Sequence, residues 1–158
     1  LNPSSAASDV YKRQINDITK ASEGHVTEKI VVERGDVILH ERHLAPSFIK
    51  IDVEGYELHA LRGLAKSINQ SNPVVMLEAN HWCLNALQRT SMPDFVDELL
   101  DIFPILYAAN ADKRYLDLHN QSHRYIFFHS NILRMEFVDV LGGFFPSQFD
   151  RFLSIFSN

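Results

Sequence analysis

The sequence is poor in cysteine and has no long apolar run. Its one cysteine, Cys83, cannot form an intrachain disulfide, which fits a reducing compartment. No apolar stretch reaches the roughly 18 residues that span a bilayer, and the N-terminus lacks the charged start and apolar run of a signal peptide. These absences predict a soluble cytoplasmic protein with no membrane partner.

Clustered positive charge is also scarce. The formal net charge is -5, and the closest approaches to a basic cluster are the pairs Lys12-Arg13 and Lys113-Arg114. Phosphate binding needs clustered Lys and Arg, so nucleic acid is excluded as an expected partner. The 8 histidines include no H-E-x-x-H pattern and no cysteine pair, so no metal ligand is assigned. Only Glu78 and His81, near Asp52, form a group to test for a divalent ion.

The chain has 158 residues, of which 46% are apolar, enough for one domain with one core. Leu1 to Gln14 is rich in Ser, Ala, Asn and Pro and has no period. It resembles translated adaptor sequence at the ends of proteins predicted from environmental DNA. We therefore predict a disordered, non-native tail over 1–14 and a domain over 15–158.

The middle of the chain reads as strand, helix, strand. Phe48 to Val53 is short and mostly apolar, as expected of a buried strand. Apolar residues then recur at helical spacing on one face: Leu58, Leu61, Leu64, Ala65 and Ile68. Asn69 to Pro73 ends the helix, and Val74 to Glu78 is a second buried strand. Such a unit is a parallel crossover, which predicts an α/β fold.

The flanking segments give weaker patterns. Lys29 to Val32 is strand-like and ends at the turn signal Arg34-Gly35-Asp36, after which Val37 to Leu39 is apolar again. A helix is predicted over 94–103, with Pro93 at the first helical position. Strands are predicted at 104–109 and 125–129, and an edge strand or hairpin arm at 114–118. Gly142-Gly143 is predicted to be a break. In the tail, Phe149, Phe152, Leu153 and Phe156 share a helical face. The tail's aromatic residues are expected in the core or on a dimer surface: Phe137, Phe144, Phe145, Phe149, Phe152 and Phe156.

Carboxylates at strand ends are the main functional indication. Asp52 and Glu54 follow the first strand of the crossover, and Glu78 ends the second. Ligands of open parallel sheets bind outside the carboxyl ends of the strands, where we expect these three groups to converge. Residues two apart on an extended backbone point the same way, and Gly55 allows a sharp turn into the helix.

Each of these residues also has a purely structural interpretation. Acidic groups at strand-to-helix junctions often cap the helix. We predict that Glu57 interacts with the helix dipole, and that Asp52 and Glu78 contact a ligand in the crevice. For Glu54 both the structural and the ligand-binding role stay open. Cys83 lacks a visible base and anion hole, so it is interpreted as a buried thiol, and Trp82 as a packing residue in preference to a pocket-mouth residue.

Fourteen residues make a specific match to a known family. The run from Lys50 to Gly63, KIDVEGYELHALRG, resembles the FkbM methyltransferase signature, K-I-D-V-E-G-x-E-x-x-x-L-x-G. The next strand, Pro73 to Glu78, and the His81 that follows also resemble that family. The resemblance is close from Phe48 to Trp82 and loose back to Glu28.

This resemblance implies a Rossmann-like methyltransferase fold that uses S-adenosylmethionine. Phe48 to Val53 would be its fourth strand and Pro73 to Glu78 its fifth. The implied reaction is O-methylation of a hydroxyl on a sugar or secondary metabolite, with a small molecule or glycan as acceptor. Catalytic candidates are Asp52, Glu54, Glu78 and His81, and Asp52 would also lie beside the methyl donor.

One part of the family pattern is missing. The glycine-rich turn that should hold the cofactor carboxylate and ribose has no counterpart, because the sequence contains no G-x-G. The expectation is therefore a partial domain whose intact parent is the enzyme and which is inactive alone. Two alternatives stay open: a Rossmann-like remnant without cofactor binding, and a carboxylate-metal hydrolase at the same strand ends.

Overall fold

A computed structural model describes residues 31–156. The chain divides into two compact units, residues 1–33 and 34–158, and all helices and strands named below belong to the second. The predicted tail over 1–14 and the first half of the strand predicted at Lys29 lie outside the described residues. The other half of that strand, Val31 and Val32, is not in a strand. Within residues 31–156, no helix combines the length and apolar character that crossing a bilayer requires.

Seven α-helices and five strands make up the described part of the chain. In chain order they are α1 Gly35–Glu41, β1 Phe48–Ile51, α2 Glu57–Gly63, α3 Ala65–Ser71, β2 Val74–Glu78, α4 His81–Gln88, α5 Met92–Ile102, β3 Ile105–Ala109, β4 Tyr115–Asp117, α6 Gln121–Arg134, β5 Asp139–Gly143 and α7 Asp150–Ile155, with a 3-10 turn Pro146–Phe149 before α7.

The strands form one mixed sheet in the order β1-β2-β5-β3-β4. β1 and β2 are parallel, with Phe48 opposite Val74 and Ile51 opposite Leu77, so the predicted crossover is confirmed. β5 is antiparallel to both of its neighbours, β2 and β3, which means that β1, β2 and β3 all run in one direction. β3 and β4 form the hairpin that the alternation at 114–118 suggested.

The crossover contains two helices where the periodicity predicted one. Leu58, Leu61 and Ile68 are buried as expected. The helix breaks at Leu64 (φ -110, ψ 4), and Ala65, predicted on the buried face, is exposed. The carboxylate of Asp36 on α1 accepts hydrogen bonds from the Ser67 amide (2.9 Å) and the Lys66 amide (3.3 Å), which stabilises the start of α3.

The strand predicted at 125–129 is wrong, because these residues lie inside α6. Their aromatic and β-branched content favoured a strand. The side chain of Asn120 instead caps a helix by accepting hydrogen bonds from the amides of Ser122 (2.9 Å) and His123 (3.3 Å). Phe127 and Asn131, four residues apart, then become fully buried on one face of that helix.

Three other local predictions need correction. Val37 to Leu39 lies in α1, which starts at the predicted turn residue Gly35. Gly142 and Gly143 belong to β5 and are not a break; the rings of Phe103 and Phe149 fill the space where their side chains would be. β1 is an edge strand within the described sheet, with Phe48 53% exposed, so it is not the buried strand that its composition suggested.

The helix predicted over 94–103 is confirmed as α5, which begins at Met92 so that Pro93 is its second residue. The core lies between the sheet and the helices, and Phe95, Phe103 and Phe127 are among its largest buried side chains. The aromatic residues of the tail differ in burial: Phe149 is 1% exposed and lies in the core, whereas Phe145 is 51% exposed and lies on the surface.

Candidate active site

A tight turn joins β1 to α2 and orients the carboxylates of Asp52 and Glu54. Glu54 and Gly55 have consecutive positive φ angles of 50° and 96°. A side chain at Gly55 would meet the backbone carbonyl oxygen of Cys83 at 2.7 Å, so only glycine fits here. Glu54 adopts a left-handed conformation without being glycine, and such local strain is common at functional sites.

Glu57 holds this turn from inside the protein. Its side chain is fully buried, and its Oε1 accepts hydrogen bonds from the amides of Val53 (3.2 Å) and Gly55 (3.1 Å). The sequence predicted a structural role for Glu57 through the dipole of its own helix. Its observed contacts are with the preceding turn, so its role is to fix the backbone that positions Asp52 and Glu54.

We expect the Glu57→Ala variant to lose about 2–4 kcal/mol of unfolding free energy, because two amides are left without acceptors. The Glu57→Gln variant keeps an amide oxygen at the same place and should lose about 1 kcal/mol. Urea unfolding followed by circular dichroism measures both values. Equal losses in the two variants would contradict the proposed role of Glu57 Oε1 as the hydrogen-bond acceptor for the two amides.

Three carboxylates converge at the carboxyl edge of the sheet, as predicted. One oxygen of each of Asp52, Glu54 and Glu78 lies within 4.8 Å of the other two. His81, the fourth predicted catalytic residue, is not part of this group, but its Nδ1 is buried and has no hydrogen-bond partner among the described residues. Oxygen ligands of this kind suit Mg²⁺ or Mn²⁺, and a dense negative charge also attracts organic cations.

The pKa values of Asp52 and Glu78 are shifted in opposite directions. Asp52 is paired with Lys50 (Nζ to Oδ2, 2.8 Å), and this contact lowers the pKa of Asp52 and raises that of Lys50. Burial, followed by the negative charges of Asp52 and Glu54, raises the pKa of Glu78. Glu78 Oε2 is buried without a partner among the described residues. Neighbouring acids whose pKa values are pushed apart are typical of sites that combine a fixed charge with a proton acceptor.

The raised pKa of Glu78 predicts a pH-dependent stability cost. The carboxyl group of Glu78 binds its proton more tightly in the folded protein than in the unfolded chain. The free energy of unfolding therefore falls as the pH rises from the ordinary pKa of glutamate through the raised pKa of Glu78. We expect Glu78→Gln to be more stable than wild type at about pH 8 and to differ little at about pH 4. Urea unfolding at both pH values tests this; a variant less stable than wild type at the higher pH would contradict it.

A fourth carboxylate, Asp139, adjoins this group and was missed in the sequence. Asp139 lies opposite Glu78 in the β2-β5 register, so the two side chains share a face of the sheet. Burial raises the pKa of Asp139, although nearby Lys50 opposes the shift. No element was predicted from the sequence for the segment around it. The two β-branched residues that flank Asp139, Val138 and Val140, are the signal that would have indicated a strand here.

Asp139 also lines a cleft of about 520 Å³. The β3-β4 turn forms one wall and the residues between α6 and β5 form the other. Its lining residues are Ala109, Asn110, Ala111, Asp112, Lys113, Met135, Glu136, Phe137, Val138, Asp139 and Phe156. This volume lies in the range of small-molecule sites. Asp139 lines the cleft, whereas Asp52, Glu54 and Glu78 are not among its lining residues.

The remaining predictions concern Cys83 and Trp82. Cys83 is buried, its thiol donates a hydrogen bond to Glu54 Oε2 (3.2 Å), and burial and Glu54 raise its pKa to about 11. The interpretation of Cys83 as a buried thiol is confirmed. Trp82 is 64% exposed at the start of α4, so the packing interpretation was wrong.

Comparison with known proteins identifies one family. The family model described as the methyltransferase FkbM domain matches residues 3–116 of the 158, a range that includes Asp52, Glu54, Glu78 and His81. Asp139 lies beyond the matched range. No curated protein and no solved structure matches the chain.

Proposed function

Since this chain belongs to the FkbM methyltransferase family, we propose that it carries the reactive centre of an enzyme that methylates a hydroxyl group using S-adenosylmethionine. The observation that supports this most strongly is the convergence of Asp52, Glu54 and Glu78 at the carboxyl ends of two parallel strands. Ligands of parallel α/β sheets bind at that edge.

The cluster suits the charged part of the cofactor. S-adenosylmethionine supplies an electrophilic methyl group on a positively charged sulfur, and it also carries an ammonium group. Asp52 stays ionised because Lys50 lowers its pKa, and it offers a fixed negative charge to such a cation. Glu54 adds a second charge, oriented by the Cys83 thiol.

Glu78 is the proposed base. A group that accepts a proton from a hydroxyl works best when its pKa lies closer to the working pH than that of an ordinary carboxyl group. Burial and the neighbouring charges move the pKa of Glu78 in that direction. His81 follows three residues later, and we propose that its Nδ1, which has no hydrogen-bond partner among the described residues, exchanges a hydrogen bond with the acceptor. Positioning the hydroxyl in line supplies most of the remaining rate enhancement.

We place the acceptor in the cleft beside Asp139. Its charged lining residues are Asp112, Glu136 and Asp139 on the acidic side and Lys113 on the basic side; Arg134 pairs with Glu136 (3.4 Å), so acidic groups exceed basic ones here by a single charge. Such a lining disfavours phosphorylated acceptors and favours neutral or cationic ones rich in hydroxyl groups, such as sugars or glycans. Neutral sugars should therefore be labelled by tritiated S-adenosylmethionine more than the same sugars carrying a phosphate.

The fold proposed for the intact enzyme is Rossmann-like, with β1 and β2 as its fourth and fifth strands. The parallel crossover with ligand groups at its carboxyl edge supports this assignment. The cofactor carboxylate and ribose would need a glycine-rich turn, and the sequence has no G-x-G. We therefore propose that this chain is a partial domain that binds the cofactor weakly by itself.

Calorimetry with S-adenosylmethionine tests the proposal. We expect millimolar binding or weaker for this chain, and micromolar binding after fusion to upstream sequence that supplies a strand and a glycine-rich turn. Absence of binding in both forms would overturn the proposal and favour the non-catalytic alternative. The three carboxylates within 4.8 Å also favour a second candidate, a metal-dependent hydrolase. Hydrolytic activity that needs added Mg²⁺ or Mn²⁺ and ignores S-adenosylmethionine would support that candidate.

A further inference from the structure

Asn131 of α6 is fully buried and donates two hydrogen bonds to backbone carbonyls outside its own helix. Its Nδ2 donates to the carbonyl oxygen of Ala79 (2.9 Å) and, over a longer distance, to that of Glu136 (3.4 Å). Because both partners are acceptors, the amide can be oriented only with its NH2 group toward them. Its Oδ1 is buried and has no hydrogen-bond partner among the described residues. An unpaired buried oxygen is unfavourable for folding, so burial alone does not account for an asparagine at this position.

The two carbonyls belong to the segments that carry Glu78 and Asp139. Ala79 directly follows Glu78, the last residue of β2, and Glu136 lies three residues before Asp139, the first residue of β5. The Ala79 amide also donates to the carbonyl of the residue that precedes β5 (2.7 Å). Ala79 is therefore bonded to the start of β5 through its amide and to Asn131 through its carbonyl. One side chain of α6 thus connects the ends of both strands.

The connection between α6 and β5 contains two bulky residues with a left-handed backbone. Met135 and Phe137 have φ angles of 53° and 55°, which residues other than glycine rarely adopt. The same connection lines the cleft from Met135 to Asp139. Asn131 holds it at two points: its backbone carbonyl accepts a hydrogen bond from the Met135 amide (2.9 Å), and its Nδ2 donates to the Glu136 carbonyl. A strained conformation persists only where surrounding contacts fix it, and these two bonds supply part of that restraint.

We propose that Asn131 is a positioning residue of the methyl-transfer site, which fixes Glu78 relative to the cleft wall that carries Asp139. This role rests on the proposed function, in which Glu78 is the base and the cleft holds the acceptor. Asn131 acts through the carbonyls of Ala79 and Glu136. A base displaced by about 1 Å from the hydroxyl it serves can lose on the order of 100-fold in rate, so a bond between these segments bears on the reaction. Asn131 lies beyond residues 3–116, so the family match assigns it no role.

Hydrogen exchange of the Ala79 amide tests the connection without an enzymatic assay. Asn131→Leu keeps a side chain of similar size and removes the donor. We expect the Ala79 amide of this variant to exchange at least about 10-fold faster, relative to the Leu77 amide inside β2, than in wild type. Asn131→Ala removes the donor without adding bulk, and the same increase is expected if leucine does not fit.

Phe127→Leu is the matched control for hydrogen exchange. Phe127 is fully buried on the same face of α6, and its ring forms no hydrogen bond with either strand end. This variant should be less stable overall, yet the ratio of the Ala79 and Leu77 exchange rates should change by less than about 3-fold. An unchanged ratio in the Asn131 variants, or an equal change in Phe127→Leu, would overturn the proposal.

Methyl-transfer kinetics test the effect on the reaction, on the form of the protein that binds the cofactor in calorimetry. Asn131→Leu should lower kcat by at least about 10-fold and leave the KM for S-adenosylmethionine within about 2-fold, because the base is displaced while Asp52 keeps its place on β1. Phe127→Leu should leave both constants within about 2-fold at a temperature where it is folded. Equal kcat values for the two variants would overturn the positioning role. A wild type without methyl transfer, together with the expected exchange ratios, would instead identify the proposed function as the part that fails.

Discussion

Replacing Asp52 with asparagine is expected to reduce methyl transfer from S-adenosylmethionine by about 100-fold or more. The substitution keeps the side chain's shape and removes its charge. It also removes the ion pair with Lys50, which keeps Asp52 ionised. The measurement is incorporation of tritiated methyl groups into a panel of hydroxylated acceptors, made on the form of the protein that binds the cofactor in calorimetry.

Asp101→Asn is the matched control for this experiment. Asp101 is an exposed aspartate in the last turn of α5, before β3 begins, so it lies at the opposite edge of the sheet from the carboxylate group. Its replacement changes net charge by the same amount and should leave methyl transfer within about 2-fold of wild type. Similar rates for Asp52→Asn and Asp101→Asn would exclude Asp52 from the reactive centre.

Gly55→Ala is expected to reduce the free energy of unfolding by more than about 2 kcal/mol. Its Cβ would lie 2.7 Å from the carbonyl oxygen of Cys83, and a φ of 96° is unfavourable for alanine. Because the same turn positions Asp52 and Glu54, any variant that still folds should also lose affinity for the cofactor. Urea unfolding measures the stability, and calorimetry measures the affinity.

Gly63→Ala provides the contrast. Gly63 is the last residue of α2, and its nearest neighbour to an added Cβ would be the Gly35 amide nitrogen at 3.8 Å, an ordinary contact. Alanine there should be neutral or stabilise by up to about 1 kcal/mol through its higher helix propensity. A Gly55→Ala variant as stable as Gly63→Ala would show that the turn is not constrained as described.

The sequence was informative about the site because strand ends are easy to locate. A short apolar segment that ends in a carboxylate, followed by a helix and a second such segment, is sufficient to bring Asp52 and Glu78 to one edge of a parallel sheet. The FkbM signature covers the same residues, and the family match confirms it. The role of Asp139 depends on its pairing with another strand, and that of Glu57 on the conformation of the turn two to four residues before it; residue spacing reveals neither.

Local composition failed where tertiary packing decided the conformation. The segment at 125–129 has strand-like residues, but the Asn120 cap and burial of one helical face make it part of α6. Gly142 and Gly143 were interpreted as a break, whereas Phe103 and Phe149 pack against them within β5. In the first case the burial of Phe127 and Asn131 overrode local propensity, and in the second the packing of Phe103 and Phe149 did so.

Titration of the ¹⁵N-labelled chain with S-adenosylmethionine, followed by amide chemical shifts, tests the central claim most directly, because it detects millimolar binding. We predict that shifts concentrate at residues 52–55 and 78–81, and that Asp52→Asn abolishes most of them while Asp101→Asn does not. Shifts elsewhere that survive Asp52→Asn, or shifts at these residues caused only by Mg²⁺ or Mn²⁺, would contradict the assignment of the carboxylate group to methyl transfer.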